Sequence, residues 1–364
     1  MSAAGAAFSA ADHAHMARAL RLAERGLYTT QPNPRVGCVI AHGAEIVGEG
    51  WHERAGEAHA EVFALRDAGA RARDATTYVT LEPCGLHGRT PPCADALIAA
   101  GVARVVIAAE DAFQREGGAT ERMRAAGIIV ESGLMRDAAR ELNRGFFSRV
   151  ERGRPWVRIK LAMSLDGRTA LANGESKWIT GKSAREDVQR WRARSSAIQT
   201  GSGTVLADDP RLTVRLASPH AVPLRVVLDR LLRTSRGAHV LDGNAPTLVF
   251  HAADAKPAHD GFSRVELAAI AARDGRLDLS QVLHELGRRG INELQVEAGP
   301  TLCGALLQSG FVDELLLYTA PIVLGNKARP LLTVPNLADM AQARRLRAVD
   351  RRQVGDDMRI LYRE

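Results

Sequence analysis

Two α/β domains in tandem are the architecture this sequence predicts, and three observations lead to it. The 364 residues exceed what one hydrophobic core usually serves. In each half, short apolar strand-like runs alternate with helical stretches, the pattern of a layered, largely parallel sheet. Between the halves, "NRGFFSRVERGRPW" (143–156) interrupts that rhythm with Arg, Gly and Pro, and the linker is expected within it, dividing the chain into 1–148 and 153–364.

In the first half, Ser9 caps a helix that Gly26 ends, with Asp12 three residues after Ser9. "VGCVIAHGAEIVGEG" is a hairpin turning at His42-Gly43. "AHAEVFALRDAG" is a short helix, "ATTYVTLEP" a strand, "CADALIAAG" a helix closed by Gly101, and "ARVVIAAED" a buried strand. "TERMRAAG" and "IIVESG" add a helix and a strand. Beyond Pro155, "WVRIKLAMSLDGRTA" is a strand and turn, "SAREDVQRWRARS" a helix, and "AIQTGSG", "LRVVLD" and "TLVFHAA" are strands. "LSQVLHELGRRG" is a helix, and "NELQVEAG" is a strand leading into a helix over Thr301–Ser309. "DELLLYTAPIVLG" and "MRILYR" complete the sheet.

Composition narrows the function. Apolar content of 46% suffices for two cores, and the four cysteines, Cys38, Cys84, Cys93 and Cys303, form no disulfide framework. A reducing, cytoplasmic setting fits that usage. The N-terminus lacks the basic start and apolar core of a signal peptide, and no apolar run approaches the ~20 residues of a membrane span. The net charge of +7 raises nucleic acid as a partner. Only five residues are lysine, however, leaving 44 of the 49 basic residues as arginine, and no basic cluster is interleaved with aromatics. The excess reads as attraction for an anionic small molecule rather than for nucleic acid or a membrane. A homo-oligomer is the expected assembly.

His59, Cys84 and Cys93 carry the strongest chemical signal. Zinc favours tetrahedral sets of imidazole and thiolate, and a catalytic site uses three protein ligands with one position open. Cys93 opens a predicted helix, whose dipole favours its thiolate. Glu61, two residues from His59, stands beside the metal rather than on it, where it can move a proton for a zinc-activated water. H-x-E followed by P-C is the signature of zinc-dependent hydrolytic deaminases, although eight residues rather than two separate these cysteines. With His87 as fourth ligand, the same residues could instead make a structural zinc knot.

"LEPCGLHGRTPPC" with "HAE", "QPNPRVGCVI" at Gln31 and "GWHERAGEAHAE" at Gly50 resemble the deaminase half of the bifunctional riboflavin-biosynthesis deaminase/reductase family. The resemblance implies that Asn33, His52 and Arg89 hold the substrate; by residue type alone Asn33 is a turn residue and His52 an ordinary surface histidine. "EDAFQREGGATERM" departs from the Asp-Pro-Asn-Pro expected in that family. In the second half, "KLAMSLDGRTA", "GESKWITG", "GSGTVLADDPRLTVR" and "VEAGPTLCGALL" resemble the reductase half. The implied fold is α/β, an N-terminal cytidine-deaminase-like domain followed by a C-terminal dihydrofolate-reductase-like domain.

The implied reactions are zinc-dependent deamination of a phosphorylated diaminopyrimidinone, then NADPH-dependent reduction of its ribosyl arm. The resemblance places Ala162, Trp178, Thr204, Asp208 and the turn Gly299, Pro300, Thr301, Leu302 and Cys303 at the cofactor. It places Ser176, Arg192, Leu212, Arg215 and Glu297 at the substrate. Residue chemistry agrees in part: a helix N-terminus after Gly299 suits a pyrophosphate, and the two arginines, without an acidic partner nearby in sequence, suit a phosphate. Lys160 precedes "SLDG" and could polarise the sugar carbonyl. Two other readings of these residues stand beside this one: a nucleoside or tRNA deaminase with an unrelated fused domain, and a zinc-stabilised, basic nucleic-acid-binding protein.

Overall fold

The computed structural model describes residues 8–86, 91–111 and 118–364. The chain divides into two compact units, 1–152 and 153–364. Among the described residues no helix is long and apolar enough to cross a membrane.

The first unit opens with α1 (Ala10–Glu24), where the Ser9 hydroxyl accepts from Asp12 N–H and the Asp12 carboxylate accepts from Ser9 N–H, a reciprocal cap. The hairpin of β1 (Gly37–His42) and β2 (Glu45–Trp51) turns at Gly43-Ala44, one residue beyond the expected turn, because Gly43 supplies the positive φ of 59°. There follow α2 (Ala60–Ala68), β3 (Thr76–Leu81), α3 (Cys93–Ala100), β4 (Arg104–Ala109), α4 (Ala119–Ala125), β5 (Ile129–Ser132), α5 (Arg136–Leu142) and α6 (Arg144–Arg152). The sheet order is β2-β1-β3-β4-β5, with β1 antiparallel to its neighbours and β3, β4 and β5 parallel. Met16, Leu20, Val39, Tyr78, Phe146 and Phe147 fill one face, and Ile40, Ala60, Ala64, Val79, Leu97 and Met123 the other.

Helix α6 occupies most of the stretch 143–156 within which the linker was expected. Its Phe146 and Phe147 are core residues, and Asn143 ahead of it accepts from Arg35 N–H at 2.8 Å and donates to Arg35 O at 2.8 Å. Arg144, Gly145, Arg149 and Arg152, which suggested irregular chain, belong to a helix packed on the sheet. Only Gly153, Arg154 and Pro155 separate α6 from the next strand.

The second unit contains β6 (Trp156–Met163), β7 (Arg168–Ala170), α7 (Lys182–Arg194), β8 (Ala197–Gly201), α8 (Ser202–Asp208), β9 (Leu224–Leu228), β10 (Thr247–Ala252) and β11 (Glu266–Ile270). It continues with β12 (Ala272–Arg273), β13 (Arg276–Leu277), α9 (Leu279–Arg288), β14 (Glu293–Val296), α10 (Pro300–Gln308), β15 (Glu314–Thr319), β16 (Arg329–Pro330), β17 (Arg347–Val354) and β18 (Asp357–Arg363). Nine strands form one sheet in the order β11-β10-β9-β8-β14-β6-β15-β18-β17. The pairs from β11 to β15 are parallel, and the β17–β18 hairpin adds an antiparallel edge. Fully buried Arg158 on β6 reaches Glu293 of β14 at 3.0 Å and Glu314 of β15 at 2.6 Å, tying together the three central strands. Ligands of open parallel sheets bind beyond the carboxyl ends of the strands. Glu297 follows β14 there, and Ser202 follows β8.

Candidate active sites

In the first unit, α2 begins at His59, which caps it by backbone conformation alone and leaves its ring uncommitted to the helix. The ring Nδ1 lies 3.5 Å from Cys84 Sγ and 3.3 Å from Cys93 Sγ. Tetrahedral zinc with ordinary Zn–N and Zn–S bonds would set such donor pairs roughly 3.5 Å apart. Cys93, at the start of α3, donates its backbone N–H to Cys84 Sγ at 3.2 Å. The contact with Cys93 pulls the Cys84 thiol down to about 4, and the same contact pushes Cys93 up. Without a metal the pair shares its charge unequally; a zinc ion would take both as thiolates.

Glu61 is 3% exposed and its Oε2 has no hydrogen-bond partner, although it is buried. Burial raises its carboxyl to about 7 against the pull of His59. A buried oxygen left without a partner is costly unless something absent here satisfies it. A donor set of one imidazole and two sulfurs, beside an unsatisfied carboxylate, fits zinc and its water.

His52 is buried, and burial lowers its pKa. Its Nδ1 is 3.0 Å from Ala58 O and its Nε2 3.1 Å from Asn33 Nδ2. The network therefore assigns a neutral ring that donates from Nδ1 and accepts at Nε2. That bond aims the Asn33 amide, and the His52 ring stands edge-on to His59 with centroids 5.4 Å apart. Asn33, His52, His59, Glu61 and Cys84 all line one cavity of about 220 Å³. Arg89, and His87 with it, lie outside the described residues, as does most of the atypical loop after Glu110.

The same cavity is lined by Glu82, Asp111, Phe146 and Arg149, which the sequence reading did not single out. Glu82 stood in plain view before Pro83-Cys84; it accepts from Asp111 N–H at 3.1 Å and from Thr120 Oγ1 at 2.9 Å. Phe146 and Arg149 lie on α6, a helix that the sequence reading did not assign.

In the second unit, Arg192 near the end of α7 grips Glu297 with two bonds, Nε to Oε1 and Nη2 to Oε2, both 2.7 Å. Its Nη1 donates to Thr213 O at 2.9 Å. Burial would raise the Glu297 carboxyl, but Arg192 overrides it and holds the group at about 2. Gln295 adds a donor at 2.8 Å. Lys160, on the neighbouring strand β6, has its pKa lowered by burial, with Glu297 opposing. Arg192 thus has the acidic partner that its sequence neighbourhood lacked, 105 residues away, and its charge is already committed. Arg215 is exposed; its backbone N–H donates to Gln189 at 3.0 Å, and both burial and Arg192 lower its pKa.

The remaining expected residues divide. A Cβ built on Gly299 would lie 3.9 Å from Thr204 Oγ1, and one on Gly201 would lie 3.6 Å from Leu302, so the starts of α8 and α10 meet at the expected cofactor turn. Pro300 opens α10, Thr301 is exposed, and buried Cys303 sits in its first turn with its thiol pushed up to about 12 by burial. Ala162 lies two residues beyond Lys160 on β6. Trp178 is 68% exposed with the Arg185 guanidinium 4.5 Å from its ring centroid, so it is no core aromatic. Leu212 is 2% exposed among Ile198, Val205 and Val227, which leaves a ligand only its main chain. No hydrogen bond or ion pair joins Ser176 or Asp208 to the Arg192–Glu297 pair among the described residues.

Residues 9–109 match the profile of the cytidine and deoxycytidylate deaminase zinc-binding region, and residues 155–360 that of the RibD C-terminal domain. The riboflavin biosynthesis protein RibD of Escherichia coli K12 is 50% identical over 360 residues, spanning 95% of this chain and 98% of its own. Its counterpart in Haemophilus influenzae is 45% identical, spanning 98% of each chain. Among solved structures, Acinetobacter baumannii RibD superposes with a TM-score of 0.89 at 43% identity, covering 97% of this chain and 98% of that one. A diaminohydroxyphosphoribosylaminopyrimidine deaminase/5-amino-6-(5-phosphoribosylamino)uracil reductase from Thermotoga maritima superposes at 0.86 with 33% identity, covering 97% and 98%.

Proposed function

The chain belongs to the RibD family of riboflavin-biosynthesis proteins, and from that membership we propose how its residues divide two reactions between them. The enzyme hydrolytically deaminates 2,5-diamino-6-(5-phosphoribosylamino)pyrimidin-4-one, then reduces the ribosyl arm of the resulting uracil to ribityl phosphate. Its cofactors are Zn²⁺ and NADPH.

Deamination is assigned to the first unit, with His59, Cys84 and Cys93 as the residues that would hold zinc. When bound, the metal lowers the pKa of a water and makes it nucleophilic at neutral pH. Glu61 takes the proton from that water and delivers it to the amino group leaving the pyrimidine C2. Asn33 and His52 hold the ring by its polar edge. The observation that carries this reading is the buried, partnerless Oε2 of Glu61 beside the three donor atoms. Glu61→Gln keeps shape and removes the base, so it should retain zinc while deamination falls on the order of a hundredfold or more. Near-normal turnover by that variant would overturn the assignment.

Reduction is assigned to the second unit. When bound, NADPH would supply a hydride to C1 of the ring-opened ribosyl arm, where C1 is double-bonded to the 6-amino nitrogen of the pyrimidine. Lys160 would donate a proton to the ribosyl ring oxygen as its bond to C1 breaks; hydride at C1 and a proton at nitrogen then complete the ribitylamine. Glu297 accepts hydrogen bonds from the amines on the ring, held in place by Arg192, while Arg215 receives the phosphate. Ser176 and the Leu212 main chain complete the substrate side; Ala162, Trp178, Thr204, Asp208 and the turn from Gly299 to Cys303 form the cofactor side. We propose also that the enzyme works as a homo-oligomer in the cytoplasm without a nucleic-acid partner; its four free cysteines support the reducing compartment. Light scattering at enzyme concentrations used for assay would decide the assembly.

A further inference from the structure

The cavity of the first unit contains a charged residue that the reaction above leaves without a task. Arg149, on α6, lines the same wall-to-wall space as Asn33, His52, Glu61 and Cys84. We propose that Arg149 is a substrate-binding residue of the deaminase, taking the phosphate of the ribosyl arm while Asn33 and His52 hold the pyrimidine.

Charge balance is the first argument. The substrate brings a phosphate monoester, close to a dianion at neutral pH, into a cavity whose other ionisable walls include Glu61, Glu82 and Asp111. Carboxylates alone would repel it. Among the described lining residues Arg149 is the arginine or lysine that can reverse that field. Residue type is the second argument. A guanidinium presents a planar fork that matches phosphate oxygens and stays charged when half-buried. Burial pushes the Arg149 pKa down and the Asp111 charge opposes this, which places the guanidinium close enough to Asp111 to feel its charge.

Placement is the third argument. Phe146 and Arg149 are three residues apart on α6 and so share a face. The guanidinium lies 5.6 Å from the Phe146 ring centroid, and Phe146 is itself buried in the core. Asn143 fixes the start of this helix to Arg35, two residues from Asn33. One end of the cavity is therefore tied, through the same few residues, to the loop that holds the pyrimidine edge.

The test compares deamination of the phosphorylated diaminopyrimidinone with that of its dephosphorylated riboside, without NADPH so that reduction does not follow. Arg149→Ala should raise KM for the phosphorylated substrate by roughly tenfold or more, the loss of one charge-assisted contact, with kcat changed less than about twofold. On the riboside, variant and wild type should agree within about twofold in KM. Arg149→Lys, which keeps the charge without the fork, should recover part of the loss. Should the alanine variant lose zinc or fold, Arg149→Lys decides alone, since it must still weaken the phosphorylated substrate selectively. Equal impairment on both substrates would mean that Arg149 only offsets Asp111, and an unchanged KM would mean that it does not reach the arm; either result overturns the proposal.

Discussion

Arg215 is an exposed residue, whereas Arg192 commits three nitrogens to Glu297 and Thr213. The two arginines should therefore fail differently. Arg215→Ala is expected to lower kcat/KM for reduction roughly tenfold to a hundredfold, and to match wild type on a substrate without phosphate. Arg192→Lys, which loosens Glu297 instead, should be impaired equally on both substrates. The reverse pattern would exchange their roles. Glu297 also carries a pH dependence whose sign follows from its shift. Its carboxyl falls from an ordinary 4.5 to about 2 in the folded unit, so its stabilising contribution is complete above about 4.5 and is lost as pH falls towards 2. The expected effect is on the order of a few kcal/mol. Denaturation followed by tryptophan fluorescence should show wild type losing its advantage over Glu297→Gln across that interval. A constant difference between the two proteins from pH 5 to pH 2.5 would refute it.

Gly50 on β2 explains how α2 brings His59 and Glu61 so near the sheet. A Cβ there would lie 2.4 Å from Ala60 O and 2.7 Å from the Phe63 Cβ, distances that force the helix outward. Gly50→Ala is expected to cost ~1–3 kcal/mol and to weaken zinc binding, although a glycine-to-alanine change in a strand ordinarily helps. Gly203→Ala in α8, with open space around its would-be Cβ, is the contrast: it should be neutral or stabilise by up to ~1 kcal/mol. Calorimetry and metal competition on the two variants check both. The glycine was legible in the sequence, but what it approaches was not, because close packing joins residues that local pattern cannot pair. The same holds for Arg192 and Glu297. By contrast, the Ser9–Asp12 cap, the hairpin and the His59/Cys84/Cys93 set were readable, since each rests on near neighbours or on a residue type with few other uses. Strand β17 escaped notice because "RAVDRRQV" is a charged edge strand whose ladder partner among the described residues is β18 alone. Helix α8 escaped because its seven residues are too few for a period to emerge.

At the level of the whole chain, each unit has its own sheet and its own core. Each reaction is assigned to residues of one unit. Cys84→Ser should abolish deamination while leaving reduction of the already deaminated substrate within about twofold of wild type, because units with separate cores tolerate local damage separately. Loss of both activities in a folded, otherwise intact variant would show coupling between the sites. A chain cut at residue 148 would end inside α6 and remove Arg149, so a separated first unit needs residues through Arg152. That position of α6 also orders events during synthesis. The ribosome delivers His59, Cys84 and Cys93 well before Phe146 and Arg149, so a growing chain has its metal ligands in hand while one wall of the cavity is still unmade. The nascent protein can capture zinc first and become selective for its nucleotide-like substrate only when the last helix of the unit emerges.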